Sequence, residues 1–143
     1  MKIDFENIEQ RCIDAIDSDE YAILASKINK AKKIFLLGNG GLHFVRWLDT
    51  IAAIEDASDC LVVGMSCSGN SSNVVNALHW ADDKNIDTFM VSGQKSEILR
   101  NGISEMSYEC EYFHTVEVMC MIIFYDLIHQ TDNKCPSIRG EKN

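Results

Sequence analysis

Basic side chains are scarce in this sequence, and that shortage limits its partners. The 13 lysines and arginines stand against 22 aspartates and glutamates, for a net charge of −9. A surface of that sign repels nucleic-acid phosphates and anionic lipid, so neither is an expected partner. No apolar run reaches membrane-spanning length, and the first residues lack the pattern of a secretory leader. Cys12, Cys60, Cys67, Cys110, Cys120 and Cys135 form no CxxC pair and no zinc-finger spacing. Free, mostly buried thiols are therefore expected, and with them a cytoplasmic location. Proline is represented only by Pro136, in a polar stretch from Thr131 expected to form a loose tail. The turn Gly38-Asn39-Gly40-Gly41 lacks the third glycine of GxGxxG, which leaves dinucleotide binding with little support.

At 143 residues, 46% apolar and 24% charged, the chain is expected to form one domain with a real core. Its organising stretch is Asp59–Val75, DCLVVGMSCSGNSSNVV. Leu61, Val62 and Val63 read as a buried strand, and Val74, Val75, Ala77, Leu78 and Ala81 recur at helical spacing. Between them lies a turn holding Ser66, Ser68, Asn70, Ser71 and Ser72, with a helix expected to open at Asn70–Ser72. Such a turn gathers unpaired backbone N–H groups at the positive end of a helix and surrounds them with hydroxyls. It can therefore hold a phosphate without a lysine. The simpler reading is a capped strand-to-helix turn, for which one such residue would suffice.

Two amphipathic helices are expected first, over residues 3–16 and from a Ser18 or Asp19 cap to about Lys32. Ile34–Leu37 reads as a strand leading into the glycine turn, and a helix follows through Phe44, Leu48, Ile51 and Ala52. After the serine turn and its helix come a strand at Thr88–Val91, a short helix at Ser96–Arg100 and an edge strand at Met106–Tyr112. A last helix over His114–Gln130 is apolar nearly all round, which suits burial by the sheet and a second subunit. The alternation predicts a three-layer, doubly wound α/β sandwich of about four parallel strands with helices on both faces. Ligands bind such sheets beyond the carboxyl ends of the strands, so both turns should share one cleft. The expected organisation is residues 1–32 as N-terminal helices, 33–131 as the α/β domain and 132–143 as the tail.

GNGG at 38–41 and GMSCSGNSSNVV at 64–75 resemble the sugar isomerase (SIS) domain. The closer likeness is to the bacterial phosphoheptose isomerase group, whose second motif usually has threonine where Cys67 stands. That group converts sedoheptulose 7-phosphate to D-glycero-D-manno-heptose 7-phosphate for lipopolysaccharide heptose. The resemblance implies that Ser66, Cys67, Ser68 and Ser71 hold a phosphate, and that Asn39 and Gly40 meet the sugar. It also implies a homodimer or homotetramer with sites near subunit interfaces.

The departures bear on chemistry. The family's zinc and acid–base positions fall on Leu48, Ala52, Val116 and Phe124, and its GNGGS serine falls on Leu42. Aldose–ketose isomerisation needs a base at C1 and C2 and an acid at the carbonyl oxygen, which these hydrocarbons cannot supply. No zinc or other cofactor is therefore expected. Glu117 does match the family's acidic position and is the candidate catalytic residue. Glu55, His43, His114 and His129 are other groups that could be recruited, though each also reads as an ordinary surface or turn residue. The chain also lacks a family segment that includes an edge strand, so Ile34–Leu37 should need cover from a subunit or the N-terminal helices. Two functions remain open: a shortened isomerase, or a phosphosugar sensor or partner-binding module of the replication-initiator-associating type.

Overall fold

The computed structural model describes residues 6–39 and 57–130. In chain order these form α1 (Ile8–Ile16), α2 (Asp19–Lys30), β1 (Lys33–Leu37), β2 (Cys60–Ser66) and α3 (Ser72–Asp83). They continue with β3 (Asp87–Ser92), β4 (Ser104–Ser107) and α4 (Phe113–Gln130). Local chemistry sets several of these boundaries. The Tyr21 N–H donates to Ser18 Oγ at 3.1 Å, which makes Ser18 the cap of α2. Asp19 and Glu20 then sit at its positive end, with Lys27 and Lys30 at the other.

The strands pair in parallel in the order β1-β2-β3-β4. β2 is buried along its whole length, as a central strand covered on both faces must be. Its alternate residues enter two cores. Leu61, Val63 and Met65 join Phe89, Val91 and Met106 beneath α1, α2 and α4. Cys60 and Val62 join Leu37, Met90 and the Val74, Val75, Leu78 and Ala81 stripe of α3 on the opposite face. A three-layer α/β sandwich results, as the alternation predicts. Gly64 is where α3 lies closest, since a Cβ there would sit 2.7 Å from Leu78 Cδ1 and 2.9 Å from Val74 Cγ1.

Two local expectations are corrected. Ser96–Arg100 forms bends in place of a helix. Three of its N–H groups are claimed from outside, Ser96 by Glu105 Oε1 at 2.8 Å, Glu97 by Asn70 Oδ1 at 3.0 Å and Arg100 by His79 Nε2 at 3.0 Å, while those of Ile98 and Leu99 meet Ser96 Oγ. The last strand spans Ser104–Ser107, earlier and shorter than Met106–Tyr112. Glu109 has φ 52°, a left-handed conformation that ends extended pairing. The Met106, Tyr108, Cys110 alternation still reports burial, because all three side chains lie in the core.

α4 buries Thr115, Val116, Met119, Cys120, Ile123 and Leu127 and exposes Phe113, Met121, Tyr125 and Ile128. Ile34 and Leu36 are 42% and 41% exposed, so the N-terminal helices cover these β1 side chains only in part. Among the described residues, no helix is long and apolar enough to cross a membrane. Residues 1–5, the 40–56 segment with its expected helix, and the tail from 131 lie outside the described residues.

Candidate ligand site

Ser66 ends β2 and Ser71 immediately precedes α3, so the predicted turn lies at the carboxyl end of the sheet. The Ser66 carbonyl accepts from the Gly69 and Gly93 N–H groups, both at 3.1 Å, and so ties the turn to the segment after β3. Gly69 has φ 70°, and a Cβ on it would lie 2.2 Å from the Gln94 carbonyl oxygen. A Cβ on Gly93 would lie 2.4 Å from the Cys67 carbonyl oxygen and 2.5 Å from Val116 Cγ2. Glycine is thus required on both sides of the contact.

Ser71 does not use its side chain as a helix cap. Its hydroxyl is paired with Ser66 Oγ at 2.8 Å, and the Ser71 N–H also points to Ser66 Oγ, at 3.4 Å. Val75 is the first residue of α3 whose N–H finds a helical acceptor, the Ser71 carbonyl at 3.0 Å. Among the described residues, the N–H groups of Ser72, Asn73 and Val74 therefore have no acceptor, as in the first turn of a helix without a side-chain cap. Together with the hydroxyls of Ser66, Ser68 and Ser71 they make a donor-rich end suited to an anion.

Asn70, part of the same turn, faces away from this end. Its N–H donates to Ser68 Oγ at 3.2 Å, and its side-chain oxygen accepts from the Glu97 N–H at 3.0 Å and the Ser96 hydroxyl at 3.3 Å. Asn39, just beyond β1, exchanges two hydrogen bonds with Asn73 in the first turn of α3. Asn39 Nδ2 donates to Asn73 Oδ1 at 2.9 Å, and Asn73 Nδ2 donates to Asn39 Oδ1 at 2.7 Å. This bridge brings the predicted sugar residue to the serine turn.

A cleft of about 470 Å³ is lined by Asn39, Met65, Ser66, Cys67, Ser68, Ser71, Phe113 and Glu117. It unites the four predicted phosphate residues, one predicted sugar residue and the candidate acid, while Gly40 falls outside the described residues. No described residue lining it is basic. Val116 is buried in the core and Phe124 packs partly against it, while Leu48 and Ala52 lie outside the described residues. None of these four side chains carries a lone pair for zinc, so the metal does not fit the positions that the resemblance assigns to it. His114 stacks on Tyr112 at 5.5 Å, His129 is exposed, and His43 and Glu55 lie outside the described residues. The residues missed from sequence are Asn73 and Phe113; only the place of Asn73 in the first turn of α3 signalled it.

Burial, and then the nearby Glu117 carboxylate, push the Cys67 thiol above its ordinary pKa. At neutral pH it is a protonated S–H donor and a poor nucleophile. Glu117→Gln removes the negative neighbour and favours the thiolate, so alkylation of Cys67 by iodoacetamide at pH 8 should quicken about two- to fivefold. Mass-spectrometric rates at the Cys67 peptide test this. An unchanged rate would separate Glu117 from Cys67 electrostatically.

The fold is that of SIS domains, phosphoheptose isomerases among them. A phosphoheptose isomerase from Neisseria gonorrhoeae aligns with TM-score 0.74 and 15% identity over 90% of this chain and 93% of that one. One from Francisella tularensis aligns with TM-score 0.70 and 16% identity over 90% and 94%. The Vibrio vulnificus NanR protein, in its complex with ManNAc-6P, aligns with TM-score 0.63 and 16% identity over 87% and 60%. No protein-family model matches the sequence, and no curated protein matches it significantly. The chain therefore shares an architecture with phosphoheptose isomerases and with a protein solved in complex with ManNAc-6P, at identities that speak to fold alone.

Proposed function

We propose that this protein binds a phosphosugar in the Asn39–Ser66–Glu117 cleft and does not isomerise it. The observation that carries this reading is the Ser66–Ser71 hydroxyl pair. By engaging Ser71, it leaves the first-turn N–H groups of α3 open to an anion. The ManNAc-6P complex of a similar fold supports the same ligand class. Among the described lining residues, the titrating groups are Glu117 and the protonated Cys67 thiol, a sparse set for proton transfer at both carbon and oxygen.

A second reading is favoured by the position of Glu117 in the cleft: a sedoheptulose 7-phosphate isomerase that uses this carboxylate as its base. A phosphorus NMR time course with sedoheptulose 7-phosphate separates the two. Binding without turnover broadens and shifts the substrate resonance and yields no new one. A product resonance that vanishes in Glu117→Gln would establish the isomerase instead, and a sharp, unmoved resonance would remove both readings.

The reading includes a homo-oligomer, supported by the exposed Met121, Tyr125 and Ile128 on α4. Light scattering on the same sample should give a multiple of 16.1 kDa, and a strict monomer would end that part of it.

A further inference from the structure

The cleft has two walls of different origin. The serine turn belongs to β2 and α3, whereas Phe113 and Glu117 stand on the first turns of α4. What holds α4 in place at that end is the segment 108–112, and its contacts reach the start of the chain.

Glu6 presents both carboxylate oxygens to this segment. Oε1 accepts from the Glu111 N–H at 2.7 Å, and Oε2 accepts from the Tyr112 N–H at 3.1 Å. Arg11 completes the contact from one turn further on. Its Nη1 donates to the Tyr108 carbonyl at 3.0 Å and the Glu109 carbonyl at 2.9 Å, while its Nε donates to the Glu6 carbonyl at 2.7 Å. The Glu111 N–H, above all, holds the Glu6 carboxyl below its usual range, so it is ionised at neutral pH.

The same segment is bonded to the ligand turn's neighbour. The Cys110 N–H donates to the Gly93 carbonyl at 2.8 Å, and Gln94 Nε2 donates to the Cys110 carbonyl at 2.5 Å. Gly93 in turn donates to Ser66. Three non-glycine residues here have left-handed backbones: Glu6 at φ 52°, Asn7 at φ 57° and Glu109 at φ 52°. Such strain persists where surrounding contacts over-determine the conformation, and Glu6 and Arg11 supply those contacts on both sides.

We infer that Glu6 and Arg11 are positioning residues for the ligand cleft, fixing the Phe113–Glu117 wall opposite the serine turn through the 108–112 segment. The inference rests on the phosphosugar reading for its ligand. It distinguishes the two ends of that ligand: the phosphate meets the serine turn, and the sugar meets the wall that the clasp positions.

The test titrates two probes, sedoheptulose 7-phosphate and inorganic phosphate, into wild type, Glu6→Gln and Arg11→Lys, followed by phosphorus NMR. Gln replaces one acceptor oxygen with a donor, and Lys loses the planar fork that spans three carbonyls. In each variant the Kd for sedoheptulose 7-phosphate should rise about tenfold, while that for phosphate stays within about twofold. Equal weakening of both probes would make the clasp merely structural and overturn the inference. So would no change in either. If one variant does not fold, the other decides. If wild type binds neither probe, or phosphate only, the phosphosugar reading fails separately. Hydrogen exchange at the Glu117 amide then settles the positioning: about tenfold faster in the variants upholds it, and an unchanged rate overturns it.

Discussion

Gly69→Val is expected to lower stability and abolish phosphosugar binding together. At φ 70° a β-branched residue occupies a left-handed conformation that costs an L-residue about 1–2 kcal/mol. Its Cβ would also lie 2.2 Å from the Gln94 carbonyl oxygen, a backbone atom that cannot swing aside. Overpacking of this kind adds about 1–3 kcal/mol. The sum, roughly 2–5 kcal/mol, is a large share of a domain's stability of about 5–15 kcal/mol. Thermal unfolding and a phosphosugar titration check the two effects. Gly102→Ala is the control, because Gly102 also has positive φ, 106°, but nothing stands within 4 Å of its would-be Cβ. If the two variants behave alike, conformational strain accounts for everything and the contact with Gln94 for nothing.

Ser66→Ala should separate stability from binding. The lost hydroxyl is 3% exposed with its residue and pairs with Ser71, so about 1 kcal/mol of hydrogen bonding disappears. Ser71 is then free to turn onto the first-turn N–H groups of α3 and act as an ordinary cap, worth about 1 kcal/mol. The melting temperature should therefore barely move. Affinity should fall about 10- to 100-fold, since charge-assisted bonds to the ligand are worth about 1.5–3 kcal/mol and the cap competes for the same donors. Melting curves and phosphorus NMR titrations on one preparation suffice. A large loss of stability with unchanged affinity would reverse the assignment of Ser66.

The parts that could be read from sequence are those whose cause is local. Leu61–Val63 followed by a glycine-serine turn and the Val74–Ala81 stripe specify a strand, a turn and a helix within their own residues. The same economy made the hydroxyls of Ser66, Ser68 and Ser71 visible, the family resemblance added Cys67, and the cleft brings the four together. What escaped notice depends on partners distant in the chain. The expected helix at Ser96–Arg100 is displaced by acceptors on Asn70, His79 and Glu105, none of which periodicity can see. Asn39 and Asn73 are 34 residues apart, and each alone reads as an ordinary turn or helix-start residue. Glu6 and Glu111 are 105 apart, with no pattern in the sequence to join them.

The Asn39–Asn73 pair gives the cleft a threshold. Two amide–amide hydrogen bonds, 2.7 and 2.9 Å long, join the two side chains directly. A sugar hydroxyl that takes the amide of Asn39 exchanges one neutral bond for another, so it gains little by itself. The anionic end must supply most of the attraction. A bare phosphate would leave the Asn39–Asn73 pair intact, whereas a phosphosugar would bring hydroxyls that compete for its two amides. The same pocket would then meet a free phosphate and a phosphosugar with different sets of partners.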